Sequence, residues 1–248
     1  LEEEVGIRLL NRDRSGVRMT TEGEELLPYF REICDSEQQL ENKIKDIRNL
    51  DTGRIRIGAF TSVAVHWLPN IIKAFQKDYP NIDYELLLGD YTEIETWILE
   101  GRVDCGFLLL PVRTELETIP LARDELLAVL PEGHPLADRP SFPVDALCSE
   151  PFMLLEKGGR TEISEIFARH GLTPDVRFTT LDDYAIMSMV ESGLGISVLP
   201  QLILKRAPYR IVAKPLDTPA YRNIALALRS RKNASLAVKR FLGYLEYR

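Results

Sequence analysis

With 248 residues, 45% of them hydrophobic, the chain has material for one or two ordinary cores. A formal net charge of −7 excludes a global cationic field, so any contact with nucleic acid must be local. No apolar run is long enough to cross a bilayer and no signal peptide is visible; with three widely spaced cysteines, Cys34, Cys105 and Cys148, this fits reduced thiols in a cytoplasmic protein.

The first element is a hairpin. Residues 10–20 alternate side chains around Ser15-Gly16, and Arg12, Arg14 and Arg18 are opposed there only by Asp13. The bland reading is a solvated turn; the sharper one is a basic wing on an acidic chain. The period then changes. Leu26, Ile33, Leu40 and Ile47 recur in one register and Phe30 and Ile44 in another, a seam that wants a partner helix. Thr21-Glu22-Gly23-Glu24 fits a capping box, Pro28 is expected to bend the first turns, and Glu37 interrupts the seam. The helix is expected to run over residues 21–50, about 45 Å, and to end at Asp51-Thr52-Gly53. A basic wing joined to a pairing helix is what a dimeric DNA binder needs.

From Gly53 strand and helix alternate. Strand 54–60, amphipathic helix 62–79, strand 82–88, helix 91–100 and the nearly all-apolar strand 103–110 form a βαβαβ rhythm, which implies a parallel sheet with right-handed crossovers. Pro111 opens an irregular stretch before strand 125–130. The second half repeats the theme: strand 152–155, helix 161–170, strand 176–180, helix 182–192, strand 196–199. Strands 211–214 and 224–228 and a closing helix 235–247 complete the chain. Two similar α/β halves whose last elements return to the first suggest two lobes joined by two crossing segments.

The segment Leu1-Glu2-Glu3-Glu4-Val5-Gly6-Ile7-Arg8-Leu9-Leu10, then Arg12, Arg14, Gly16, Val17, Arg18, Met19-Thr20 and Glu22-Gly23 resembles the LysR-type transcriptional regulators. In that family it is the end of the DNA-recognition helix, the wing and the start of the linker helix; the first two helices and most of the recognition helix would precede Leu1. The blocks Gly53-Arg54-Ile55-Arg56-Ile57-Gly58, Glu100-Gly101-Arg102-Val103-Asp104, Gly133-His134-Pro135-Leu136, Glu150-Pro151-Phe152 and Gly193-Leu194-Gly195-Ile196-Ser197-Val198-Leu199-Pro200 continue the resemblance, in order, along the rest of the chain.

The resemblance implies an α/β fold: a two-lobed, periplasmic-binding-protein-like effector domain, similar to type 2 periplasmic binding proteins. It is preceded by a long dimerisation helix and the wing of a partial winged helix-turn-helix. The expected divisions are a partial winged helix-turn-helix at 1–20, a linker and dimerisation helix at 21–52, lobe I at 53–122, lobe II at 123–217 and a return to lobe I at 218–248. The implied partners are double-stranded DNA, a small-molecule effector and a second copy of the chain, with a dimer of dimers expected from the family.

A cleft between parallel-sheet lobes is lined by strand ends and helix N-termini. Thr61 and Ser62 lie at such a junction and read either as helix caps or as part of an anion cradle; the two readings can hold together. Across the cleft, Lys157-Gly158-Gly159-Arg160-Thr161 reads either as a surface loop or as a second wall, with Gly159 allowing close approach and Arg160 pairing with an anion. Leu110 is expected on an apolar wall, and Gly195 and Ile196 are expected to lend backbone to the same space. Asp182 and Asp183 are read as helix caps. Cys105 and Cys148 are read as structural cysteines, the alternative being the oxidant-sensing disulfide of one family branch.

His66, His134 and His170 share no metal-ligand spacing. The chain has no H-E-x-x-H, Cys-x-x-Cys, Walker loop or G-x-S-x-G, and Gly193-Leu194-Gly195 lacks a third glycine and follows a helix. No catalytic constellation, metal or cofactor is therefore expected. A free-standing solute-binding protein would explain two lobes and a cleft but not the wing and the heptad helix. An enzyme on the same lobes would need converging acid, base or nucleophile side chains.

Overall fold

The computed structural model describes residues 1–13, 16–47, 53–155 and 162–248; of residues 12, 13, 35, 38, 39, 42, 43, 45–47 and 162 only the backbone is described. The chain forms two compact units, Leu1–Leu50 and Asp51–Arg248.

In the first unit a short helix α1 (Glu2–Val5) precedes strands β1 (Leu10–Asp13) and β2 (Gly16–Met19), paired antiparallel with Leu10 opposite Met19, and the helix α2 (Thr21–Ile47). Glu2 Oε1 accepts the amides of Leu9 and Leu10 at 2.7 and 2.8 Å, fastening α1 to the hairpin. The expected capping box is corrected. Thr20, not Thr21, holds the helix start: its hydroxyl accepts the Gly23 amide at 3.0 Å and donates to the Arg8 carbonyl at 2.7 Å. The position three residues after this cap is therefore Gly23, where any Cβ would collide with the Leu9 carbonyl oxygen. Glycine lets the helix start against the hairpin. The helix continues through Pro28.

The second unit holds one mixed sheet in the order β4-β3-β5-β10-β6-β9-β7-β8. Its strands are β3 (Gly53–Ala59), β4 (Ile82–Leu88), β5 (Cys105–Leu109), β6 (Glu117–Pro131), β7 (Pro151–Leu155), β8 (Asp175–Thr180), β9 (Ile196–Pro200) and β10 (Ile211–Leu228). Strands β4-β3-β5 are parallel, as are β8-β7-β9. The parallel pairing expected of the βαβαβ rhythm is found within β4-β3-β5, and the crossing segments lie between the triplets. There β6 and β10, of 15 and 18 residues, pair antiparallel with each other and with both triplets, β10 with β5 and β6 with β9. They weld two parallel α/β halves into one sheet.

The helices are α3 (Thr61–His66), α4 (Leu68–Asp78), α5 (Tyr91–Leu99), α6 (Glu162–His170), α7 (Asp183–Glu191), α8 (Gln201–Leu204) and α9 (Leu236–Phe241). The single helix expected over 62–79 breaks at Trp67, with Pro69 in the first turn of α4. The closing helix is likewise shorter than expected, with a 3₁₀ segment Leu242–Tyr247 after α9. The two strands expected in the final third are one, interrupted by a register shift between Pro215 and Ala220.

Two separate apolar clusters form. One gathers Ile57, Phe75, Ile94, Phe107, Leu226 and Phe241; the other gathers Val129, Phe152, Phe167, Ile186, Val198 and Leu216. No helix among the described residues is long and apolar enough to cross a membrane.

Candidate functional site

The register of the two long strands defines a boundary between the halves. β10 runs antiparallel to β5 with Ile224 opposite Leu109, so the end of β5 lies where β10 enters the first half. β9 runs antiparallel to β6 with Pro200 opposite Leu126, so its end lies where β6 enters the second half. The C-terminal ends of both parallel triplets therefore turn toward one boundary, the place where open α/β sheets bind ligands.

On the first-half edge, Phe60 is extended (φ −94°, ψ 161°) and its carbonyl accepts the Val63 and Ala64 amides at 3.1 Å each. Phe60 is thus the N-cap of α3, and the reading of Thr61 or Ser62 as caps is corrected: they are the first helical residues. Thr61 is half-buried and Ser62 buried. Tyr91 opens α5 after an Asp90–Glu93 capping box, with bonds of 2.8 and 2.9 Å, and its ring meets Phe60 edge-on at 5.1 Å. Leu110 is half-buried just past β5, its amide donating to the Asn223 carbonyl at 2.9 Å.

These pieces converge on a guanidinium that sequence reasoning missed. Arg222 and Asp124 face each other across β10 and β6 and are both buried, 3% and 7% exposed. Arg222 Nε donates to Asp124 Oδ2 at 2.9 Å, and Nη2 lies 2.7 Å from the same oxygen. Nη2 also donates to Ser62 Oγ at 2.8 Å, Nη1 donates to the Tyr91 hydroxyl at 3.0 Å, and Cζ lies 5.0 Å from the centre of the Phe60 ring. Asp124 Oδ1 accepts the Leu202 amide at 3.0 Å, capping α8 from a neighbouring strand. An arginine before an apolar strand reads in sequence as a solvated strand end. Only its partner 98 residues away gives it a role.

On the second-half edge lie the ends of β7, β8 and β9 at Leu155, Thr180 and Pro200. Gly159 and Arg160 lie outside the described residues. Asp182 caps α7, accepting the Tyr184 and Ala185 amides at 2.8 and 3.4 Å. Gly195 and Ile196 lie away from this edge. Ile196 opens β9 opposite Phe152, at the beginning of the parallel strands and thus at the far edge, and it is fully buried in core. Gly195 abuts the Pro151 carbonyl, where a Cβ has no room. Their glycine-rich pattern is a packing demand.

In the first unit, Arg18 is exposed opposite Asn11. Arg12 pairs through its backbone with Val17, and Arg14 lies outside the described residues. On α2, Leu26 and Phe30 are half-buried; Ile33, Leu40 and Ile44 are exposed, at 65%, 62% and 41%. Ile47 lies within the helix backbone. Cys34 is exposed, Cys148 half-buried, and burial pushes the Cys105 thiol far above its ordinary pKa, away from the reactive thiolate. Among the described residues no cluster of three or more His, Cys, Asp or Glu is placed to hold a metal ion.

The LysR substrate binding domain family matches residues 48–248. The uncharacterized HTH-type transcriptional regulator YvbU of Bacillus subtilis (strain 168) is 31% identical over 98% of this chain and 84% of its own length. HinK, a LysR family transcriptional regulator from Pseudomonas aeruginosa, superposes with a TM-score of 0.70 at 27% identity, covering 98% of this chain and 84% of HinK. The CcmR regulatory domain of Synechocystis PCC6803, in complex with 2-PG, gives 0.72 at 27% identity over 78% of this chain and 96% of that domain. With the two-lobed α/β architecture, these similarities establish that the chain belongs to the LysR family of transcriptional regulators and carries its effector-binding domain.

Proposed function

We propose that this chain regulates transcription by binding double-stranded DNA and a small anionic or polar effector, the ligand seated between a lobe I of residues 53–122 and 218–248 and a lobe II of residues 123–217. The observation that carries this reading is the convergence of Thr61, Ser62, Tyr91 and Leu110 at one strand-end boundary. Ser62 Oγ already accepts from Arg222, so what it offers a ligand is its proton. That chemistry favours an acceptor such as a carboxylate or phosphoryl oxygen. Arg222 is neutralised by Asp124, so selectivity rests on placed donors, to which the proposal adds Gly159 and Arg160. The 2-PG complex of the similar CcmR regulatory domain is in keeping with a small ligand for this domain.

Arg12, Arg14 and Arg18 contact the DNA backbone, while Leu26, Phe30, Ile33, Leu40, Ile44 and Ile47 pair two copies along α2, with a dimer of dimers as the full assembly. The protein acts in the cytoplasm as a regulator, not an enzyme. Ligand control can be no stronger than the effector's difference in affinity for two lobe arrangements. A thermal-shift screen of small carboxylates, amino acids and 2-PG tests the site. At least one compound should raise the melting midpoint, and the gain should vanish in Ser62→Ala. A compound that stabilises both proteins equally binds elsewhere.

A further inference from the structure

A buried ion pair contributes little to stability over an apolar substitute, and its best-attested use is to enforce one arrangement or to switch. The Arg222–Asp124 pair has the connections for such a use. It sits on the two strands that link the halves. One end grips Ser62, the second residue of α3, and Tyr91, the first of α5, at the strand-end edge; the other grips the Leu202 amide at the start of α8, the helix that follows β9. The connection is continuous: Ser62 Oγ accepts from Nη2, Nη2 and Nε hold Asp124 Oδ2, and Asp124 Oδ1 holds Leu202 N, with distances of 2.7 to 3.0 Å throughout. Hydrogen bonds in a chain polarise one another where the dielectric is low. The joints at Ser62, Asp124 and Leu202 are all buried, and only the one to Tyr91 is half-buried.

We infer that Arg222 and Asp124 are positioning residues forming a relay, through which a change at the Ser62 hydroxyl is felt at the N-terminus of α8. The inference rests on the proposed function for its biological meaning, since a ligand accepting the Ser62 proton would be the natural input. An arginine is required. Its planar fork reaches a hydroxyl and a carboxylate at once, which the single ammonium of lysine does not reproduce.

A ligand-free measurement separates the relay from the effector reading. In the full chain, hydrogen–deuterium exchange is followed in the peptide spanning Gln201–Leu204 for the wild type, Ser62→Ala, Arg222→Lys and the double variant. Ser62→Ala should accelerate exchange of the Leu202 amide about fivefold, the factor expected when a supporting hydrogen bond is lost. Amides in the 3₁₀ turn at 144–148 should keep the wild-type rate. In the Arg222→Lys background the same Ser62→Ala change should have no further effect.

Two results overturn the relay: unchanged α8 exchange in Ser62→Ala, or an acceleration that persists undiminished in Arg222→Lys. The second would route the effect through direct packing of α3 on α8, which also touch. If Arg222→Lys fails to fold, the Ser62→Ala comparison with Ser62→Thr, which keeps the hydroxyl, decides alone: Thr must restore the slow exchange that Ala loses. A screen in which no compound binds would sink the effector reading and leave this result standing.

Discussion

Asp124 holds two jobs that no single substitution can divide cleanly, ion-pairing Arg222 and capping α8. Both partners are nearly fully buried, so removing one leaves the other's charge stranded, at a cost of about 3–5 kcal/mol. Asp124→Ala should lower the unfolding free energy by that amount in urea titrations, while Asp124→Asn, which can still accept the Leu202 amide, should lose less. Equal losses would mean that the carboxylate charge, absent from both variants, carries the whole effect and the Leu202 bond none of it. His66 supplies a pH-dependent counterpart. Burial lowers its pKa, the Ile203 carbonyl opposes that shift, and Arg206 and Lys205 on the chain after α8 add to it; its Nε2 has no hydrogen-bond partner among the described residues. With a folded pKa below the unfolded value of about 6.5, the unfolded chain binds the proton first as pH falls. Stability is therefore complete above the unfolded pKa and declines below it, by an increment that His66→Gln should lack between pH 7.5 and pH 5.5. At this scale the hydroxyl at position 62 was legible, because it follows a strand and opens a helix. Its guanidinium partner was not, because it comes from 160 residues away and local pattern carries no trace of it.

Elements were legible where one period dominates. The apolar strand β5 and the alternation of β3 announced themselves, and the seam of α2 was read from spacing alone. Its residues Ile33 and Leu40 stand exposed on the described chain, and apolar side chains in helical register without cover call for a partner surface. Replacing both with glutamate should halve the particle mass measured by light scattering; an unchanged mass would remove α2 from the pairing surface. Elsewhere the signal was present but underweighted. Pro69 suits the first turn of a helix and marks the restart at α4. Pro215 and Pro219 read as breakers, yet they fall where the β10 ladder shifts register and a proline's missing amide does least harm. The cap of α2 moved by one residue because the close contact at Gly23 with Leu9 is tertiary.

For the molecule as a whole, the two-half rhythm was legible as repeated strand and helix, but its joining was not. Antiparallel pairing of β6 and β10 depends on segments about 100 residues apart, and it turns two parallel sheets into one. The same joining explains why Gly195 and Ile196 lie at the far edge while Ser62 and Tyr91 lie at the boundary: strand direction, invisible in composition, decides which end faces it. The effector reading stands or falls on that geometry. Its most direct test is a crystal structure of the full chain with the compound that the thermal screen selects. The account predicts ligand oxygen atoms within hydrogen-bonding distance of the Ser62 hydroxyl, beside Tyr91 and Leu110, with Arg222 still on Asp124. A ligand seated at the opposite ends of the strands, near Gly195, would contradict it.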